Sequence, residues 1–288
     1  MDLAKLVSTL EEIPPAPQII PKLQAVLANP DASIKDVIEL LKVDISISAK
    51  ILRFANSSYF AGSTPANGLD EAIQRVGFRE INRLVSIAVS KGVLGIALPA
   101  YNKKEGEMME IALYCAEIMQ VLAKKIEPER GDTYYTAGLF HGIGKLVINQ
   151  YLKSRGLVLY GSVHDEDAPT PDVIPEIERN VLGFDNAEAA AAFLSLWKFP
   201  QDIVEPIRHQ LTPAACTPIP KITMALHFAG TIAPNLCKEV PTPSVINVPN
   251  VVTEVLQIDE LVIVDCIADA QQRFLQLKSS VLGNSGNL

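Results

Sequence analysis

Basic charge is scarce in this sequence. Across 288 residues, 25 lysines and arginines face 33 aspartates and glutamates, giving a formal net charge of −8 and a pI of about 5.1. Such a balance does not build a broad electrostatic face for a polyanion, and no nucleic-acid motif is present, so nucleic acid is not an expected partner. Cysteine is sparser still. Cys115, Cys216, Cys237 and Cys266 are widely spaced, make no Cys-x-x-Cys pair and sit among apolar neighbours. That pattern fits buried free thiols in a reducing compartment, not a disulfide framework. Long apolar runs are also missing. The stretch from Leu84 to Leu98 is interrupted by Ser86, Ser90 and Lys91, short of the ~20 continuous apolar residues a membrane span needs. The opening Met1-Asp2-Leu3-Ala4-Lys5 lacks the basic stretch and following apolar run of an export signal. A cytoplasmic protein without a membrane segment is expected.

Alternating strand patterns are almost absent too. Only Leu157-Val158-Leu159-Tyr160 has the look of a strand, and it is short. Nearly everything else reads at helical period, and the predicted fold class is all-α, a multi-helix bundle. Expected helices include Ile19 to Leu27, Ile45 to Ala55, Leu69 to Val76, Phe78 to about Leu94, Tyr134 to Tyr151, Ala187 to Trp197 and Leu261 to Leu277. Ser33 is a candidate N-cap, because its hydroxyl can accept from the free amides of a first turn. Prolines in Pro14-Pro15-Ala16-Pro17 end the first apolar stripe, and those between Pro234 and Val252 mark a surface loop. Residues 96–104 look like a joint, so an N-terminal helical subdomain over 1–100 is expected to pack on a second helical unit over 101–288.

Several ordered segments carry a resemblance. The first half holds Ile13-Pro14-Pro15-Ala16-Pro17, Asn29-Pro30-Asp31-Ala32-Ser33, the run from Asp44 to Phe60 with its Asn56-Ser57-Ser58 step, and Asp70-Glu71-Ala72-Ile73-Gln74-Arg75-Val76-Gly77. The second holds Ala137-Gly138-Leu139-Phe140-His141-Gly142-Ile143-Gly144-Lys145-Leu146, then Leu182 to Glu188, Leu196 to Pro200 and Ile207-Arg208-His209-Gln210. In this order and spacing they resemble the HDOD family, the HD-related output domain of bacterial signalling proteins, over about residues 11–232. The segment around His141 looks like the "GLLHDIGKL" stretch of HD-superfamily proteins.

That resemblance implies a helical scaffold on which HD phosphohydrolases hold divalent metal with histidine and aspartate, the metal supplying an activated water for attack at phosphorus. Here the His-Asp step is His141-Gly142, and glycine cannot coordinate. The family segment that usually opens on another histidine corresponds to the stretch around Ile111, and a later histidine position corresponds to Asn186, a poor ligand. His141 and His209 remain as candidate ligands, whereas catalytic sites normally need three or more protein ligands. No catalytic residue, metal or cofactor is therefore assigned. The resemblance implies a non-catalytic signal-transduction module acting on a signalling protein partner or a small effector, with a pocket between the halves as one form the effector site could take. The alternative is a metal-dependent phosphohydrolase acting on a nucleotide or phosphoester, with His141 as a surviving ligand.

Each residue also has a plainer role open to it. His141 and His209 can be hydrogen-bonded core or surface histidines, and they should lie near each other if both descend from one ancestral site. Asn56, Ser57 and Ser58 could line a binding groove or simply close a helix. His164-Asp165 falls in a polar run and reads as a surface loop. Trp197, the sole tryptophan, reads as core packing beside Phe199-Pro200. The short N-terminal helices need a partner surface, so Ile13 to Pro17 and Asp44 to Phe60 are expected to pack on the second half as one rigid body.

Overall fold

The computed structural model describes residues 3, 19–27, 29, 33–42, 45–57, 60, 65–157, 159, 173–237 and 246–278. Among the described residues the chain is helical, with an isolated bridge between Leu98 and Lys103 as its β pairing. The first half contains α1 (Ile19–Leu27), α2 (Ile34–Lys42), α3 (Ile45–Ala55), α4 (Leu69–Val76) and α5 (Phe78–Leu94). The second contains α6 (Glu107–Ile126), α7 (Gly131–Phe140), α8 (Ile143–Arg155), α9 (Ile174–Leu182), α10 (Asn186–Leu196), α11 (Gln201–Arg208), α12 (Lys221–Leu236), α13 (Asn250–Leu256) and α14 (Glu260–Leu277). The all-α expectation holds. Leu157 and Leu159 form no strand; Val158 and Tyr160 lie outside the described residues, as do Pro14 to Pro17.

Local chemistry sets several of these boundaries. Ser33 caps α2 as expected: its hydroxyl accepts from the Asp36 amide at 3.4 Å, and Asp36 returns the bond by accepting from the Ser33 amide at 2.8 Å. Between α4 and α5 the chain turns on Gly77, whose φ of 96° lies in the region that favours glycine, with its amide bonded to the Ile73 carbonyl at 2.8 Å. Two boundaries differ from the sequence reading. The single helix expected from Tyr134 to Tyr151 is broken in two, because the backbone, still helical at His141, departs at Gly142 (φ −90°, ψ 1°) and α8 restarts at Ile143. The expected loop from Pro234 begins later, since Pro234 is accommodated inside the last turn of α12, and a short helix, α13, follows the loop.

Two helices organise the packing. On α5 every residue from Ile81 to Ser90 is buried, and α6 is buried almost throughout from Met108 to Ala123. A helix apolar on all sides belongs at the centre of a bundle. α5 carries α1, α3 and α4 on one side and meets α6, α7 and α8 on the other, while α6 packs on α7, α12 and α14. This corrects one expectation: α3, which lies within the Asp44 to Phe60 region, packs chiefly on α4 and α5. Its link to the second half is relayed through α5, which has buried faces for both. The joint is no free linker either. Leu98 and Lys103 pair across a short turn, the Gly106 amide donates to Gly95 at 2.8 Å, and the Ala100 amide donates to the Asn149 side chain on α8 at 3.0 Å.

At Gly144 the backbone of α8 lies directly against the start of α10. A Cβ on Gly144 would stand 1.8 Å from the Asn186 carbonyl oxygen and 2.7 Å from the Ala190 amide nitrogen, and backbone cannot swing aside as a flexible side chain can. Gly144→Ala is therefore expected to destabilise the fold by about 3 kcal/mol or more. Gly92, exposed on α5 with open space where a Cβ would go, is the control: Gly92→Ala should stabilise by about 0.5–1 kcal/mol through helix propensity. Chemical denaturation of both variants makes the comparison. Equal effects would show that the α8–α10 contact is not tight.

Candidate functional site

His141 stands at the break between α7 and α8. The aromatic ring before it, Phe140, meets Phe199 edge-on at 5.3 Å, and Trp197 packs on Phe193 at 4.3 Å, so a buried aromatic cluster fixes the end of α7. Trp197 is thus core, as its plainer reading had it. The imidazole is buried, with Nδ1 2.6 Å from the Gly138 carbonyl oxygen. A carbonyl only accepts, so Nδ1 carries the proton and Nε2 keeps its lone pair. That edge of the ring faces Gly230 on α12, where a Cβ would lie 3.6 Å from Cδ2 and 3.9 Å from Nε2. Burial drives the His141 pKa down to about 4; the Gly138 bond opposes the shift and the charge of Lys145 adds to it.

The positions where the HD scaffold would supply metal ligands are filled differently. A Cβ on Gly142 would lie 2.6 Å from the Met108 methyl, so the end of a methionine side chain from α6 stands where a side chain at 142 would begin. Ile111, one turn along α6, is buried and apolar. Asn186 is committed elsewhere: its amide nitrogen Nδ2 and its backbone N–H both donate to Glu178 Oε2, at 2.8 and 2.7 Å. Among the described residues no group of three or more histidine, cysteine, aspartate or glutamate side chains is placed to hold a metal ion. The donor set around His141 does not fit the metal centre that the scaffold implies.

In place of a metal centre the region holds two polar ties. In the first, Gln210 donates from Nε2 to the His141 carbonyl at 2.9 Å, and its own carbonyl accepts from His227 Nδ1 at 2.7 Å. It is Gln210, then, and not His209, whose side chain reaches His141. The His209 ring stands near Glu205 on its own helix at 3.5 Å and is partly exposed, because at the end of α11 the neighbouring position faces inward. The second tie centres on Glu178, which is wholly buried and accepts from the Tyr101 hydroxyl at 2.6 Å as well as from Asn186. Burial raises its pKa, against the pull of those hydrogen bonds and of Lys145. Lys145 is half-buried rather than plain helix surface, with its ammonium 5.8 Å from the centre of the Tyr101 ring. Burial lowers its pKa, and Glu178 opposes that shift.

The groove suggested around Asn56 spends its polar groups internally. Asn56 donates to the Ala66 carbonyl at 2.9 Å and accepts from the Ala66 amide at 2.7 Å and from Arg75 at 2.9 Å, while Ser57 donates to the Phe54 carbonyl at 2.7 Å. Both residues close α3 and pin the following loop. Ser58 and His164-Asp165 lie outside the described residues. Met108, Gln210 and His227 went unnoticed in the sequence: a methionine in an apolar helix carries no signal of what it displaces, and Gln210 was hidden behind the histidine beside it.

The buried neutral histidine has a measurable consequence. Its folded pKa lies below the unfolded value of ~6.5, so the unfolded state binds more protons between the two. The favourable contribution is fully present above about pH 6.5 and is lost as pH falls toward 4. Relative to His141→Gln, the native chain should lose about 2 kcal/mol between pH 7.5 and pH 5. Denaturant titrations of both proteins across that range test this, and parallel pH profiles would show that His141 is not neutral in the fold.

Known proteins share this architecture. A protein of uncharacterised function from Treponema pallidum (strain Nichols) is 24% identical over 241 residues, covering 83% of this chain and 45% of that protein. The chain thus spans less than half the length of that relative. Among solved structures, an HDOD domain protein of unknown function from Geobacter sulfurreducens superposes with a TM-score of 0.71 at 20% identity, covering 97% of this chain and 96% of that one. A provisionally assigned signal transduction protein from Marinobacter aquaeolei VT8 gives 0.69 at 21% identity, covering 97% of this chain and 60% of that one. At such identities these structures establish the fold alone. The family model for the HDOD domain, however, matches residues 13–213, a span that includes the His141 break, α10 and α11, and this chain belongs to the HDOD family.

Proposed function

We propose that this chain is a non-catalytic regulatory module of bacterial signal transduction, cytoplasmic, which acts by binding a protein partner or a small effector. The observation that carries the reading is the Met108 methyl 2.6 Å from where a Gly142 side chain would begin. A catalytic metal needs several converging donors and an open position for water. Around His141 the corresponding places hold a methionine methyl, an isoleucine and an asparagine bound to a buried glutamate. Gly142→Asp would bring its side chain against the Met108 methyl, which would have to swing aside to admit a carboxylate. One further observation agrees with a signalling role: a superposable structure is provisionally assigned to signal transduction.

The rival reading, a metal-dependent phosphohydrolase, is separable by experiment. Protein purified without added metal is expected to contain far less than stoichiometric manganese, iron or zinc by elemental analysis. It should hydrolyse p-nitrophenyl phosphate esters no faster than His141→Ala does. Near-stoichiometric metal that disappears in His141→Ala, together with His141-dependent hydrolysis, would overturn the proposal.

A further inference from the structure

Away from His141, α5 carries a polar stripe that no function above uses. Asn82, Arg83, Ser86 and Ser90 fall within an arc of about 100° at helical spacing, and all four are buried. Two of its members, Arg83 and Ser90, meet α6. Arg83 pairs with Glu117, its guanidinium also lying 5.2 Å from the centre of the Tyr135 ring of α7, and the Ser90 hydroxyl stands 3.5 Å from Met109 Sδ. The early contact on α5 meets the later one on α6, so the helices run antiparallel here and Ser86 falls between the two contacts.

Along this seam several polar atoms have no hydrogen-bond partner among the described residues: both amide atoms of Asn82, Ser86 Oγ, Arg83 Nε, Glu117 Oε2 and the Tyr135 hydroxyl. Asn82 is 1% exposed, and Ser86 and Glu117 are 0% exposed. Groups so deep carry their desolvation cost with nothing in return unless something meets them, and in folded proteins that something is ordered water. We propose that the α5–α6 seam is an internal water site, with bound water bridging the Asn82 amide, the Ser86 hydroxyl and the free oxygen of Glu117. The chemistry of the seam selects water over other ligands. Asn82 Nδ2 and Arg83 Nε donate, Asn82 Oδ1 and Glu117 Oε2 accept, and Ser86 does both, which suits a small molecule that donates and accepts. Arg83 and Glu117 balance each other's charge, so neither an anion nor a cation is called for. At such low exposure, a larger solute has no open path.

The sign of a stability change tests this. In a dry seam, Ser86→Ala removes an unmet hydroxyl and gains helix propensity, and Asn82→Leu removes two unmet atoms at similar volume, so Tm should rise. In a hydrated seam each substitution strips partners from bound water, and Tm is expected to fall by about 2–4 °C. Ser86→Ala, the smaller change, decides the matter where Asn82→Leu fails to fold. A crystal structure of the unsubstituted chain supplies the second readout, a water peak within hydrogen-bonding distance of Asn82, Ser86 and Glu117. A rise or no change in Tm for Ser86→Ala, an empty seam, or density too large for water would overturn the proposal.

Discussion

A salt bridge with no exposure to solvent sits where the two halves of the chain meet. Arg83 on α5 and Glu117 on α6 are 3% and 0% exposed on their side chains, and Ile81 to Ser90 of α5 and nearly all of Met108 to Ala123 of α6 are buried. Burial disfavours the charge on Arg83, yet Glu117, with Tyr135 and Glu80, holds its pKa above the ordinary arginine value. Glu117 is pushed upward by burial while Arg83 pulls the other way. Such a pair adds little stability compared with a well-packed apolar alternative, but removing one partner leaves a buried charge and costs about 3–5 kcal/mol. Its effect is on arrangement. α5 cannot leave α6 without exposing that charge, and since α1, α3 and α4 rest on α5, the N-terminal helices are held to the bundle through one element.

The same logic explains what became of the His141 region. The turn there is held by side chains from three other helical segments: the Met108 methyl lies beside Gly142, and Gln210, its own carbonyl bonded by His227, donates to the His141 carbonyl. Glu178 gathers Tyr101 and Asn186 into a tie between the inter-half turn, α9 and α10.

Much of this was legible beforehand, for identifiable reasons. Helix limits such as Ile45–Ala55, Leu69–Val76 and Phe78–Leu94 follow from apolar period with glycine and proline punctuation, which are local signals. The ligand-poor reading of Gly142, Ile111 and Asn186 comes from matching motifs; the fold adds what each residue touches, the Met108 methyl beside Gly142 and Glu178 beside Asn186. The break at His141 was not legible, because Tyr134 to Tyr151 keeps helical period across it and only packing against α6 and α10 reveals the turn. The residue that bonds His141 from the end of α11 is Gln210, beside the His209 singled out from sequence. Sequence offers two polar candidates, His209 and Gln210, and which of them faces inward depends on the rotation of α11 against α7, a tertiary quantity. Asn56 shows the converse: a polar cluster at a helix end that resembled a groove proves to bond its own backbone.

The account stands on α5 and α6 making one cooperative body of the described helices, and equilibrium unfolding followed by two probes measures that directly. Trp197, the only tryptophan, lies just beyond α10 and its fluorescence reports on the second half, whereas far-ultraviolet circular dichroism reports on every helix, including α1 to α4. Coincident transitions with one midpoint and one slope are predicted for the intact chain. A helical signal that decays at a different denaturant concentration from the Trp197 signal would mean that the N-terminal helices fold apart from the bundle, and would contradict the account.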